Sequence, residues 1–95
     1  MPLSFSSRVT ALPDVMYRTV GEEAVILNMK SQVYFGLDPV GVRMWTVLIE
    51  SGSIQAALES LLAEYDVSEP QLRTDLEAFV EKLVEQGLLE THPAG

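Results

Sequence analysis

The sequence predicts an α+β fold, a three-stranded antiparallel sheet followed by three helices, and three observations carry the prediction. Short β-branched and aromatic runs end by Leu37, apolar residues recur at helical spacing afterwards, and a single Asp38-Pro39 step divides the two patterns. At 95 residues the chain fits one domain with one modest core. No internal repeat, low-complexity run or linker splits it.

Residues 1–13 lack sustained periodicity and carry Ser and Pro, so they are expected to form a flexible arm with at most a short extended piece at Arg8 to Leu12. The strand runs are Val15 to Val20, Ala24 to Asn28 and Val33 to Leu37. Gly21-Glu22-Glu23 and the polar turn Met29-Lys30-Ser31-Gln32 separate them, which reads as a meander. Alternation in the third run puts Val33, Phe35 and Leu37 on one face and Tyr34 and Gly36 on the other.

Asp38 then stands where an N-cap belongs and Pro39 at the first helical position, where a missing N–H costs nothing. The first helix, Pro39 to Ser51, carries a stripe of Met44, Trp45, Leu48 and Ile49, and Gly52 ends it. Ser53 opens the second, where Ile54, Ala57, Leu58, Leu61, Leu62 and Tyr65 share one face. Ser68 and Gln71 have the spacing of a capping box for the third. Its buried stripe is Leu72, Leu76, Phe79, Val80 and Leu83, and Gly87 closes it before Leu88-Leu89. Residues 91–95 read as a tail.

The composition, 47% hydrophobic and 21% charged, is that of a folded soluble domain, and no run approaches the length of a membrane span. No secretory signal is apparent and there is no cysteine, so disulfides and thiolate sites are excluded and the cytoplasm is the expected compartment. The net charge of -8 is unevenly placed: four acids balance four bases through Ile49, whereas from Glu50 onward ten acids face only Arg73 and Lys82. Such a surface repels phosphate and favours a basic or neutral partner.

Catalytic chemistry finds little to stand on. The one histidine, His92, lies in the expected tail, Glu77 and Glu81 have the spacing of a solvated helix face, and the glycines sit at strand ends and helix caps rather than in a phosphate loop. The expectation is a protein that is not an enzyme and takes no cofactor or metal. Three helices beside a small sheet also describe a winged helix-turn-helix, but a DNA reader needs Lys and Arg for the phosphates. The third helix instead carries Glu69, Asp75, Glu77, Glu81 and Glu85, so no nucleic acid is expected. What remains is strand addition. An edge strand offers unpaired N–H and C=O groups to an extended peptide, and the third run has no strand after it in sequence and no internal proline to blunt it. Such an edge can also pair with its own copy, giving a homodimer.

The order V-Y-F-G-L-D-P-V-G-V-R-M-W-T-V-L, then A-A-L-E-S-L-L-A-E-Y-D-V, then L-R-T-D-L-E-A-F-V-E-K-L-V-E-Q-G-L-L resembles the PqqD-like family, or RiPP recognition elements. The resemblance runs from about Val15 to Leu89. It rests on Tyr34, Leu37, Gly41 and Trp45 around the strand-to-helix step, on Tyr65-Asp66, and on Asp75, Phe79, Leu83, Gly87, Leu88 and Leu89.

That resemblance implies a winged-helix-like peptide-recognition domain over residues 14–90. It would bind the leader of a ribosomally made precursor as a strand beside the third strand, in a groove walled by the third helix. Carried over, the peptide-binding residues are Val33, Tyr34, Phe35, Gly36 and Leu37 on the strand and Leu72, Asp75, Leu76 and Phe79 on the helix. Members of the pyrroloquinoline quinone pathway usually carry Leu-x-Pro-Glu near the second hairpin, where this chain reads Leu27-Asn28-Met29-Lys30-Ser31-Gln32. The Tyr-x-Gly-Leu-Asp-like strand is closer to members serving lasso peptide assembly, in which the domain presents the precursor to a leader peptidase. The alternatives are a chaperone for a radical SAM peptide-modifying enzyme, and a winged-helix DNA-binding or oligomerisation domain.

Overall fold

In the computed structural model, which describes residues 6–92, the chain runs β1 (Arg8–Ala11), β2 (Val15–Val20), β3 (Glu23–Asn28), β4 (Val33–Leu37), α1 (Pro39–Ser51), α2 (Ile54–Glu64), α3 (Glu69–Glu85) and β5 (Leu89–His92). Strands β2, β3 and β4 form the expected antiparallel meander, with Ile26 opposite Tyr17 on one side and Phe35 on the other. Ala24, Ile26 and Leu37 point inward and are buried, while Tyr34 stands on the outer face, 74% exposed.

The core forms where that inner face meets the helices. Met44, Trp45 and Leu48 of α1, Ile54, Leu58 and Leu61 of α2, and Leu72, Leu76, Val80 and Leu83 of α3 are buried together with Leu88 and Leu89. The stripes predicted from spacing are therefore largely the packed ones. Ile49 is exposed on α1, and Leu62, Tyr65 and Phe79 are only half-buried, at the margin of the core. Tyr17 of β2 stacks on Trp45 with ring centroids 6.1 Å apart, closing one side of the sheet over α1.

Side chains set the element ends. Asp38 caps α1 by accepting from the Gly41 N–H at 2.7 Å, Ser53 caps α2 through the Ala56 N–H, and Ser68 caps α3 through the Gln71 N–H. The reciprocal arm of a capping box is missing at α3, because the Gln71 amide donates forward to Asp75 Oδ1 at 2.9 Å.

The described parts of both chain ends are paired with each other. Arg8–Ala11, expected as at most a short extended piece in a flexible arm, and Leu89–His92, of which Thr91 and His92 belong to the stretch read from sequence as a tail, form an antiparallel ribbon with Val9 opposite Thr91. Residues 1–5 of the expected arm and 93–95 of the expected tail lie outside the described residues. The ribbon is held to the helices as well: the Val9 N–H donates to the Gly52 carbonyl at 3.0 Å, and Val9 is buried in the core. Val9 supplies the physical reason, since its burial returns apolar stabilisation that a free arm would forgo. His92 accordingly lies in a strand, where its Nε2 hydrogen-bonds to Thr10 Oγ1 at 3.0 Å.

Candidate functional site

The β2-β3-β4 order leaves the far edge of β4 without a strand neighbour among the described residues. The described part of the N-terminal segment is committed elsewhere, to β5 and the α1–α2 junction. Main-chain groups on that edge of β4 therefore have no ladder to join within residues 6–92, an arrangement that proteins normally cover or pair.

Beside this edge lies a groove of about 670 Å³. Its strand wall is Phe35, Gly36 and Leu37, its end is Asp38, Val40, Gly41 and Met44 from the start of α1, and its helix wall is Asp75, Ala78, Phe79 and Lys82. The floor is apolar, with charge confined to Asp38, Asp75 and Lys82. The size is ordinary for a ligand site and the shape an open trough, which suits an extended chain lying along it rather than an enclosed small molecule.

Local sequence explains how each wall is placed. Asp38 stops the strand and starts α1 within one residue, turning α1 across the end of β4. Gly41 lets that turn be tight: a Cβ there would lie 3.2 Å from Leu37 Cδ2 and 3.3 Å from Asp38 Oδ1. On α3, positions 75, 78, 79 and 82 recur at helical spacing and form one stripe along the trough. At the opposite end, buried Asn28 ties the hairpin to the end of α3. Its Nδ2 donates to the Gly87 carbonyl at 2.8 Å, and its Oδ1 accepts from the N–H groups of Lys30 and Ser31 at 2.9 and 3.1 Å. Gly87 takes a φ of 75°, which glycine adopts without strain. Because Asn28 pairs with Val33, this latch sets the C-terminal end of α3 beside the start of β4, so helix and strand run in opposite directions along the groove.

Of the nine residues singled out from sequence, Phe35, Gly36, Leu37, Asp75 and Phe79 line the groove. Val33 is half-buried in the strand and Tyr34 projects from the outer face of the sheet, so either meets an added strand through its backbone. Leu72 and Leu76 are buried in the core and do not line the groove, because they are rotated on α3 away from the stripe. Sequence reasoning missed Asp38, Val40, Gly41, Met44, Ala78 and Lys82 as lining residues. Ala78 and Lys82 carried a usable signal, lying three and seven positions after Asp75.

The rest of the surface offers little chemistry. No group of three or more His, Cys, Asp or Glu side chains gathers as a metal site among the described residues, and no described helix is long and apolar enough to cross a membrane. Arg43 and Glu64 form a two-point ion pair between α1 and α2, at 2.9 Å from Nε and 2.5 Å from Nη2. The hydrogen bond from Arg43 holds the Glu64 carboxyl below the usual carboxylate range. This pair lies outside the residues that line the groove.

The family model of coenzyme PQQ synthesis protein D (PqqD) matches residues 23–89. The solved structure of TbiB1 in complex with the TbiA(beta) leader peptide is 33% identical, covers 85% of this chain and 94% of its own, and superposes with a TM-score of 0.80. A lasso peptide synthetase B1 complexed with the leader peptide shares the fold at 22% identity, covering 87% of this chain and 98% of its own, with a TM-score of 0.78. No curated protein matches the chain.

Proposed function

The chain belongs to the PqqD family, and from that premise we propose that it is a non-catalytic recognition element for the leader segment of a ribosomally made precursor peptide. The observation that carries this reading is the coincidence of an open strand edge with an apolar trough alongside it. An extended leader joining β4 satisfies the vacant main-chain groups. Its side chains alternate, so every second residue faces the trough between β4 and α3 and the others continue the outer face of the sheet. Backbone pairing supplies affinity for extended chain in general, and the trough adds choice of sequence through Phe35, Leu37, Met44 and Phe79. The leader-bound state of the 33%-identical relative supports the same occupant.

Binding of this kind does no chemistry itself. It presents the precursor to a processing enzyme, raising the effective concentration and fixing which bond arrives at the enzyme's centre. A leader peptidase of lasso peptide assembly, working in the cytoplasm, is the recipient that the Tyr-x-Gly-Leu-Asp-like strand favours. The test is a titration of the protein with a fluorescein-labelled TbiA(beta) leader peptide, the one bound by the 33%-identical relative, run beside a duplex DNA at the same salt. Saturable leader binding with no response to duplex is expected. Tight duplex binding with a steep salt slope would overturn the reading.

A further inference from the structure

The trough is apolar along its floor but carries opposite charges toward its two ends on the helix wall, Asp75 and Lys82. Both side chains are exposed. Asp75 is already oriented, since one carboxylate oxygen accepts from the Gln71 amide at 2.9 Å. The Lys82 side chain has no hydrogen-bond or ion-pair partner among the described residues, and Arg73 is the one other Lys or Arg from Glu50 onward. A side-chain cation with no ion pair beside an apolar trough gains from an anion that comes with the ligand.

The direction of the polarity follows from the fold. The latch between Asn28 and Gly87 puts the C-terminal end of α3 next to Val33, so Lys82 lies toward the start of β4 and Asp75 toward Leu37 and the start of α1. A strand added antiparallel to β4, the pairing used throughout this sheet, enters beside Leu37 and leaves beside Val33. It therefore passes Asp75 first and Lys82 second. The two α3 positions are separated by about 10.5 Å of helical rise. Residues on one face of a strand recur at about 6.7 or 13.4 Å, and the longer spacing is the nearer match.

Resting on the leader-binding reading, we infer that the groove reads charge order: it selects leaders with a Lys or Arg facing Asp75 and, four residues further on, an Asp or Glu facing Lys82. Asp75 and Lys82 are then specificity-determining residues that set both the register and the direction of the bound strand. A leader entered backwards, or slipped by two residues, brings like charges together or leaves Lys82 without its anion.

The test is selection from a displayed library of random 15-residue peptides on the full chain and on the doubly exchanged variant Asp75→Lys/Lys82→Glu. Both positions are exposed, and circular dichroism checks that the variant keeps its helices. The native chain is expected to enrich peptides with a base followed four residues later by an acid, and the exchanged variant the reverse order. Lys82→Glu alone is expected to weaken a selected peptide at least tenfold, with recovery when the acid of that peptide is changed to Lys. Enrichment without a charged pair, the acid-first order on the native chain, or identical sequences on both proteins would overturn the inference while leaving peptide binding intact. Failure to enrich any peptide on either protein would overturn it together with the reading beneath it.

Discussion

Asn28 is the residue on which the geometry of the trough most depends. It is buried, its amide holds the Gly87 carbonyl, and its oxygen organises the turn that delivers β4. Replacing Asn28 with Ala strands the Gly87 carbonyl and two turn N–H groups at partial burial, at a cost of about 1–3 kcal/mol. In a domain of this size each kcal/mol lowers the melting midpoint by about 4–8 °C, which thermal circular dichroism reads directly. The Arg43–Glu64 pair makes a prediction of different form. Arg43 lowers the carboxyl's folded-state pKa below its unfolded value, so the pair's contribution is present above the ordinary carboxylate range and is lost as pH falls through the depressed value. The melting difference between the native chain and Glu64→Gln should accordingly be largest near neutral pH and vanish in strong acid. A difference that persists there would place the effect of the substitution elsewhere.

Among the elements, α3 has two duties that its sequence keeps apart by a rotation of about one residue. Leu72, Leu76, Val80 and Leu83 face the core, while Asp75, Ala78, Phe79 and Lys82 face the trough. Ala78 is exposed in the middle of the second stripe, so Ala78→Trp fills the trough without touching the core. The expected result is a loss of leader affinity of at least tenfold, about 1.4 kcal/mol. Stability should stay within about 0.5 kcal/mol, as for other surface substitutions. On β4, proline scanning separates the two edges. N–H groups of successive strand residues point to opposite sides, so of Tyr34→Pro and Phe35→Pro one removes a donor to β3 and the other a donor on the open edge. The first should lower the melting temperature; the second should abolish leader binding in a protein that still melts cooperatively. Equal leader affinity in both folded variants would argue against strand addition.

At the scale of the whole molecule, the meander, the three helices and their caps were legible because each is encoded locally, in alternation, helical spacing and residues such as Asp38, Ser53 and Gly87. The β1–β5 ribbon was not, because its partners lie about eighty positions apart and its one buried anchor on β1, Val9, sits among polar neighbours with no pattern of its own. The trough was half legible for the same reason. Phe35 and Leu37 follow from strand alternation, whereas Val40 and Met44 enter it only through the angle at which α1 leaves β4. Charge acts at this scale too. With the -8 imbalance carried by the helical half, duplex DNA should show no binding at physiological salt, and lowering the salt should not bring it in.

The claim on which the account turns is that a leader joins the molecule as a strand on the open side of β4. Amide hydrogen exchange, resolved to single residues with and without saturating leader, tests it most directly. The account predicts slowed exchange at alternate amides of Val33 to Leu37, with β2 unchanged. Protection gained along β2 or on the exposed face of α2, while the amides of β4 exchange as before, would contradict it.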